Sequence, residues 1–372
     1  MPSLIKSTLS GKPLTKMWGL KPTMKAVFVI LSSQEYDFFR EQSMQRREFL
    51  KSAAITALAS KLTRPAEAMD ASGMPYRTLG RTGVKVSLVG LGGHHIGRSY
   101  VSQDESTRII RTGLDSGINF LDNCWDYNDG LSETRMGLAL KDGYRQKAFL
   151  MTKLDGRTVQ SAQQQLEESL RRLQTDHIDL LQIHEVIRMD DPERVFAKGG
   201  PLEYLEKARK DGKVRYIGFT GHKSPEIHLH MIETAAKHNY TFDTVQMPLN
   251  PMDAHFDSFA AKVIPAAQKH NMGILGMKPM GDGVLLKSNT VTPVDCLRYA
   301  MHLPVSVVIT GCDSMKILQQ ALDTAKNFHG LDEAEVNAIL KKTETVAQKG
   351  EFELYKISHS FDGTYHNPQW LG

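Results

Sequence analysis

Short apolar runs alternate with longer amphipathic segments along most of this chain. Segments such as Ser161–Leu170 repeat apolar residues at helical spacing. Alternating strands and helices are typical of βα units, and eight units with eight crossovers predict an α/β fold, a parallel (β/α)8 TIM barrel. The predicted strands are Val84–Leu91, Ile118–Leu121, Ala148–Thr152, Ile178–Ile183, Val214–Phe219, Thr244–Met247, Gly273–Met277 and Ser306–Ile309.

Both ends of the chain add to this barrel. We predict a hairpin before the first barrel strand, an additional helix at Asp332–Lys349 and a tail at Tyr355–Gly372 that folds near the mouth of the barrel. Residues 69–372 are therefore interpreted as one barrel domain. Its barrel core covers residues 84–330, and its C-terminal helix and tail cover residues 331–372.

The first 68 residues have a different pattern. An arginine pair at positions 46 and 47 precedes the modestly apolar stretch Ser52–Ser60, and small residues follow up to Ala68. This order predicts a twin-arginine export signal at residues 44–68, cleaved after Ala68. The alternative is an amphipathic helix with an incidental arginine pair. We expect residues 1–43 to be a disordered extension or a mis-annotated start.

An export signal has consequences for partners and location. It implies the twin-arginine machinery as a partner and a periplasmic protein, with no stable membrane insertion after cleavage because the apolar stretch is too short to span a bilayer. A net charge of +4 over 372 residues is too small to indicate a nucleic-acid partner. Cys124, Cys296 and Cys312 lack metal-type spacing, so no metal site is predicted.

Four polar residues follow predicted strands: Asp122, Tyr127, Lys153 and His184. In a parallel barrel such positions converge on the C-terminal mouth. A phenol has an ordinary pKa of about 10, and a nearby ammonium stabilises the phenolate, so Lys153 would make Tyr127 a usable general acid. Asp122 would hold the ammonium in place. His184 would hydrogen-bond a substrate oxygen.

Each of these four residues also has a plain structural interpretation. Alone, His184 is typical of a satisfied core histidine, Tyr127 of a packed aromatic residue, Lys153 of half an ion pair and Asp122 of a helix cap. Their joint occurrence at matching strand ends favours the catalytic interpretation. Trp125 is a candidate for the substrate pocket, with simple packing as the alternative.

Motifs around these residues resemble those of the aldo-keto reductases. Residues 122–127, Asp-Asn-Cys-Trp-Asp-Tyr, followed by Gly-Leu-Ser-Glu at 130–133, resemble the family's second-strand segment. Met-Thr-Lys at 151–153 and Gln-Ile-His at 182–184 are similar to the segments that carry its Lys and His. The resemblance covers about residues 75–330 in colinear order. It implies a nicotinamide cofactor and a small-molecule carbonyl substrate.

The resemblance also implies cofactor contacts, although the match is uneven. Thr220 and Gly221 stand where the family has a Ser-Asn pair, Gln246 matches its glutamine, and Leu249 replaces an aromatic residue; His222 is expected to replace the lost amide contact. The segment Gly311, Cys312 and Asp313 resembles the family's phosphate-wrapping turn. We expect Lys278, Gly281 and Gly283 to line the pyrophosphate, with a surface turn as the alternative.

The resemblance implies NADP(H) as the first choice of cofactor and NAD(H) as the alternative. Lys316 is the candidate partner for the extra phosphate of NADP(H), whereas Asp313 would repel it. The predicted function is reduction of an aldehyde or ketone by hydride transfer, with Tyr127 as general acid. Two alternatives stay open, namely a redox-sensing or partner-binding barrel with little turnover, and a sugar or polyol dehydrogenase that runs toward oxidation.

Overall fold

The computed structural model describes residues 68–372, and the predicted export signal, except its last residue, lies outside them. The described chain begins with a small antiparallel sheet in the order β1-β2-β3, formed by β1 (Ala68–Met69), β2 (Pro75–Thr78) and β3 (Lys85–Ser87). This sheet confirms the predicted N-terminal hairpin. The single strand predicted at Val84–Leu91 is wrong in detail, because Leu88 turns the chain between β3 and the first barrel strand.

Eight parallel strands close into a barrel in the order β10-β11-β4-β5-β6-β7-β8-β9. The closure confirms the predicted (β/α)8 TIM barrel. β11 pairs with β4 from Val308 opposite Val89 to Gly311 opposite Gly92, which joins the last strand to the first. The barrel strands are β4 (Val89–Gly92), β5 (Phe120–Asp122), β6 (Phe149–Leu154), β7 (Ile178–Ile183), β8 (Val214–Thr220), β9 (Thr244–Pro248), β10 (Gly273–Met277) and β11 (Val307–Gly311).

Helices connect the strands and surround the barrel. Within residues 68–372 they are α1 (Gly93–Ile96), α2 (Gln103–Asp115), α3 (Leu131–Ala139), α4 (Val159–Leu173), α5 (Asp191–Phe196), α6 (Pro201–Lys210), α7 (Pro225–Lys237), α8 (Phe259–Lys269), α9 (Pro293–His302), α10 (Met315–Lys326), α11 (Glu333–Thr343), α12 (Leu354–Ile357) and α13 (Gly363–His366). None of them is long and apolar enough to cross a membrane.

Helix α4 shows how the sequence pattern produces these elements. Its first turn is held by a capping box. The Thr158 hydroxyl accepts from the backbone N–H of Ser161, and the Ser161 hydroxyl accepts from the backbone N–H of Thr158. Leu166, Leu170 and Leu173 recur on one face and are buried against the barrel. Burial of each such side chain contributes about 1.5–3 kcal/mol, so packing rather than helix propensity fixes this helix.

The inside of the barrel is closed at its N-terminal end. Phe120 and Phe149 stack with ring centroids 5.1 Å apart. Leu79 and Val86, from the small sheet and its turn, join the same buried cluster and cover the floor. With the floor filled by apolar side chains, the C-terminal mouth is the end open to chemistry.

The C-terminal segment folds near that mouth. Helix α11 ends at Thr343, earlier than the predicted helix at Asp332–Lys349. After it come α12, α13 and a short 3-10 helix at Pro368–Leu371. The tail is bound to the barrel rim, since the backbone N–H of Arg157 donates to the carbonyl of Leu371 at 2.7 Å.

Candidate active site

Two neighbouring strands bring a buried ion pair to the mouth. Asp122 ends β5, and Lys153 lies on β6; their side chains are in direct contact and almost fully buried. Lys153 Nζ also donates to the carbonyl of Asn123 at 2.7 Å. The second carboxylate oxygen of Asp122 accepts from Gln246 Nε2 at 2.6 Å. The ammonium is therefore paired, fixed and satisfied, as a buried charge must be to be tolerated.

Tyr127 lies beside this ion pair. Its hydroxyl accepts the third hydrogen bond of Lys153 Nζ at 3.3 Å, and its ring packs edge-on against His94 and His184. The four residues predicted as catalytic thus come together at one point. Because the lysine donates to the phenol oxygen, the phenolic proton is free to point toward the cavity.

The resting pKa of Tyr127 differs from the sequence expectation. We expected Lys153 to bring the phenolic proton within reach, but burial, with the negative charge of Asp122, raises the pKa of Tyr127 well above its usual value. The resting phenol is therefore firmly protonated. A phenolate at this position would face the ammonium of Lys153 at hydrogen-bond distance, which would stabilise it.

His184 completes the group from the end of β7. Its Nδ1 lies 2.9 Å from Asp155 Oδ1, so Nε2 is the nitrogen left for the cavity. Burial lowers the pKa of His184, while the nearby charge of Asp126 opposes that shift. The imidazole is placed to hydrogen-bond an oxygen that lies next to the Tyr127 hydroxyl.

A cavity of about 700 Å³ opens over these residues. Asp122, Tyr127 and His184 line one part of it, and a mostly apolar slot between α9 and α10 continues it. The size suits an extended ligand with one reactive end. Within the described chain the slot is lined by Pro293, Leu297, Ile317, Gln320 and Ala321.

Most of the predicted cofactor residues line this cavity. Those that do are Thr220, Gly221, His222, Gln246, Lys278, Gly283, Gly311 and Asp313. His222 is already engaged, because its Nε2 lies 2.8 Å from Asp362 Oδ1 in the tail. The hydroxyl of Tyr100 donates to Asp313 Oδ2 at 2.8 Å, which holds that carboxylate at the edge of the slot.

Four predicted cofactor residues and the predicted pocket residue are not among the residues that line the cavity. Leu249 is fully buried in the barrel core, and Met277, at the end of β10, occupies the cavity wall instead. The others are Gly281, Cys312 and Lys316; the Cys312 side chain is buried in the core, and Lys316 lies exposed on α10. Trp125 faces Glu168 and the ring of Trp370 under the tail.

The structure also adds residues that the sequence interpretation missed. Asp126 and Glu185 directly neighbour predicted site residues and line the cavity, and Asp155 lies beneath His184. A signal for Asp155 was present, because positions 153 and 155 of an extended strand project to the same face. Phe361 and Asn367 of the tail line the cavity through contacts that no local pattern reveals.

Two buried polar atoms of the cavity wall fit a nicotinamide cofactor. Gln246 Oε1 and Thr310 Oγ1 have no hydrogen-bond partner among the described residues. Both residues line the cavity, Gln246 beside the ion pair and Thr310 on β11. Unpaired buried acceptors are costly unless a ligand satisfies them, and a carboxamide and a ribose carry suitable donors.

Comparisons with known proteins agree with this geometry. The model of the aldo/keto reductase family matches residues 88–295 of the 372, so this chain belongs to that family. The uncharacterized oxidoreductase YrpG of Bacillus subtilis is 31% identical over 245 residues, which are 59% of this chain and 72% of YrpG. The L-galactose dehydrogenase of Arabidopsis thaliana is 28% identical over 228 residues, 56% of this chain and 66% of that enzyme.

Solved structures show the same fold. The holo form of the aldo-keto reductase AKR11C1 from Bacillus halodurans superposes with a TM-score of 0.62 at 24% identity, over 72% of this chain and 96% of the other. Membership of this family, together with its oxidoreductase relatives, establishes that this protein is an enzyme of NAD(P)H-dependent carbonyl reduction. A barrel that only senses or binds a partner is not favoured.

Proposed function

We propose that Tyr127 is the general acid of this aldo-keto reductase, with Lys153, Asp122 and His184 as its supporting groups. The observation that carries the proposal is that the phenol of Tyr127 contacts both the buried ammonium of Lys153 and the imidazole of His184 at the wall of the cavity. When bound, the nicotinamide supplies the hydride that reduces the carbonyl carbon. Each remaining step belongs to side chains of this chain.

The steps follow from the hydrogen bonds. His184 and Tyr127 hold the carbonyl oxygen between them, which orients the carbon for attack. As negative charge develops on that oxygen, the Tyr127 hydroxyl transfers its proton to it. The resulting phenolate is stabilised by Lys153 Nζ at 3.3 Å, and Asp122 keeps the ammonium in place. A phenol whose resting pKa is high does not lose its proton before substrate arrives.

We further propose NAD(H) rather than NADP(H) as the preferred cofactor. Asp313 lines the cavity at the slot between α9 and α10, where its carboxylate would repel a 2′-phosphate and accept a hydrogen bond from a ribose hydroxyl. Lys316, the candidate phosphate partner, is exposed and is not among the cavity-lining residues. These placements support the alternative over the first choice that the resemblance implied.

A hydroxylated carbonyl compound is the substrate class that the cavity favours. The carboxyl group of Asp126 lines it next to His184, and the amide of Asn367 lines it from the tail. Both supply acceptors for substrate hydroxyl groups. The name of one relative, L-galactose dehydrogenase, supports the same class of substrate. An oxidative role on a sugar or polyol remains an outcome of the test below.

Export by the twin-arginine machinery to the periplasm is a separate proposal, supported by the pattern of residues 44–68 alone. The route carries folded proteins, which suits an enzyme that acquires its cofactor before export. Replacing both Arg46 and Arg47 by Lys should leave the full chain in the cytoplasmic fraction. Unchanged periplasmic recovery would contradict the proposal.

The function is tested by steady-state turnover of the full chain. NADH and NADPH oxidation is followed with a reactive nitrobenzaldehyde, an aromatic ortho-quinone and a set of aldoses, and NAD⁺ reduction is followed with the matching alcohols. Tyr127→Phe should lose turnover in every assay. Tyr144→Phe is the matched control, because Tyr144 hydrogen-bonds Asp115 at the surface. Equal turnover by Tyr127→Phe and wild type would contradict the role of Tyr127.

A further inference from the structure

His184 contacts the buried carboxyl group of Asp155, which has no role in the proposed reaction. Its Nδ1 lies 2.9 Å from Asp155 Oδ1, 3.3 Å from Cys124 Sγ and 3.7 Å from Asp126 Oδ1. Asp155 has no exposed surface. A second carboxyl group and a thiol around one imidazole nitrogen are more than orientation of the ring requires.

The side chain of Asp155 is directed at His184. Its Oδ1 makes the contact with Nδ1, and its Oδ2 has no hydrogen-bond partner among the described residues. The backbone N–H of Asp155 is held separately by Gln165 Oε1 at 2.8 Å. The carboxyl group is therefore not needed to cap or fix its own backbone.

The Asp155–His184 pair can hold two protons or one, and Nε2 of His184 is a donor in the first state and an acceptor in the second. With two protons, the pair is either a carboxylic acid donating to neutral His184 or a carboxylate facing imidazolium, and Nε2 carries a proton in both cases. With one proton, that proton lies between Nδ1 and Oδ1, because two lone pairs at 2.9 Å would repel. Nε2 is then bare and can only accept.

We propose that Asp155 is a positioning residue that sets the tautomer of His184, so that Nε2 donates to a carbonyl when the pair holds two protons and accepts from an alcohol when it holds one. The inference rests on the proposed function, because it assumes that His184 contacts the substrate oxygen. It adds a proton-dependent change that the four predicted residues lack. Loss of one proton from the pair changes Nε2 from a donor that suits a bound carbonyl oxygen into an acceptor that suits a bound alcohol.

The surroundings favour the two-proton state near neutral pH. Burial and the charge of Glu185 raise the pKa of Asp155 to about 8, although Arg157 opposes the rise. Burial raises the pKa of Asp126 to about 7. A carboxylic acid also explains the lone Oδ2, since an unpaired neutral oxygen costs less than an unpaired charged one. Charged or titratable groups facing the pair are Cys124, Asp126, Tyr127, Lys153, Arg157, Glu185 and Arg188.

Cys124 does not compete for the same role. Burial raises the pKa of its thiol well above the usual value, so it remains a thiol. Its Sγ also lies 3.7 Å from the carbonyl of Lys153, which gives the S–H an acceptor other than His184. A thiol is also a weaker hydrogen-bond donor than a carboxyl group. Cys124→Ala is therefore the matched control, since it removes a neighbour of Nδ1 without removing the proposed partner.

The decisive experiment measures the tautomer directly. The full chain, labelled with 15N at histidine, is titrated between about pH 6 and 10, and the His184 signal is assigned by its absence from His184→Gln. In wild type, Nε2 should change from protonated to unprotonated as the pH rises. Asp155→Asn should abolish that change, because an amide does not titrate, and Cys124→Ala should retain it. A wild-type Nε2 that keeps one state, or an Asp155→Asn titration like that of wild type, would overturn the proposal.

A kinetic measurement gives a second readout. Above the pKa of the pair, kcat/KM for carbonyl reduction by wild type should fall about tenfold per pH unit, while kcat/KM for alcohol oxidation should not fall with it. Asp155→Asn should lose this fall in reduction. Tyr127 does not produce the effect in this range, because its pKa lies higher. The spectra come from the resting enzyme, so their outcome is independent of whether Tyr127→Phe supports the proposed function.

Discussion

Lys153 Nζ donates to Tyr127 Oη at 3.3 Å, and its other two hydrogen bonds go to Asp122 and to the carbonyl of Asn123. All three protons of the ammonium are used, so its position relative to the phenol is fixed. The phenol itself is half-buried, and desolvation with the charge of Asp122 raises its pKa well above the usual value, so it is protonated at rest. In the proposed mechanism, the stabilisation from Lys153 therefore appears only as the phenol becomes phenolate, where it lowers the barrier.

Lys153→Met removes that stabilisation. We expect kcat for carbonyl reduction to fall by about 100-fold or more, because the phenolate would then form without a neighbouring cation. The single variant also leaves Asp122 buried and unpaired, which costs about 3–5 kcal/mol of stability. The double variant Lys153→Met with Asp122→Asn removes both charges and serves as the folding control. A folded double variant with wild-type kcat would refute the role of Lys153.

Cofactor preference should respond to Asp313 and not to Lys316. In Asp313→Ser a carboxylate at the cavity edge is lost, and we expect the Kd of NADPH, measured by its fluorescence, to fall about tenfold relative to that of NADH. Lys316→Ala is the matched control on the same helix–turn segment and should change the ratio by less than about twofold. A larger effect of Lys316→Ala would restore NADP(H) as the preferred cofactor.

The tail should be released by acid through Asp362. This buried carboxylate accepts from Lys223 Nζ at 2.7 Å and from His359 Nδ1, besides its contact with His222. Burial alone would raise the pKa of Asp362, but these hydrogen bonds hold it well below the usual value. The stabilisation is therefore full above about pH 4 and fades as the pH falls further.

Asp362→Asn should mimic that release at neutral pH. We expect about 2 kcal/mol less unfolding free energy and faster cleavage within residues 358–371 by a protease. The surface variant Asp190→Asn, whose carboxylate is 56% exposed in a pair with Arg194, is the matched control and should change neither. Equal protease protection of the tail in Asp362→Asn and in wild type at pH 7 would show that Asp362 does not hold the tail.

Local patterns were sufficient for the barrel and for four side chains at its mouth. The apolar runs before Asp122, Lys153 and His184 fix strand ends, and parallel strands of a barrel all end at one mouth. Tyr127 could be assigned because its spacing from Asp122 matched a known motif. The pKa of Tyr127 was not predictable, because its direction depends on how far folding removes the phenol from water and on the charge of Asp122 beside it.

Contacts between distant segments account for the remaining differences. The resemblance places Leu249 at the nicotinamide in place of an aromatic residue, but its side chain packs against Gly276 on β10, and Met277 lines the cavity. His222 was assigned to the cofactor, yet Asp362 lies 140 residues further along and binds its Nε2. Such pairings depend on the closed barrel and the docked tail, which no local pattern contains.

The most direct test of the central claim is a single-turnover measurement on Tyr127→Phe. The full chain is saturated with NADH and mixed with nitrobenzaldehyde, and the nicotinamide absorbance is followed together with a separate Kd for NADH. The account predicts an unchanged Kd and a rate of cofactor oxidation lower by about 100-fold or more, with Tyr144→Phe equal to wild type. A Tyr127→Phe enzyme that binds NADH normally and oxidises it at the wild-type rate would contradict the account.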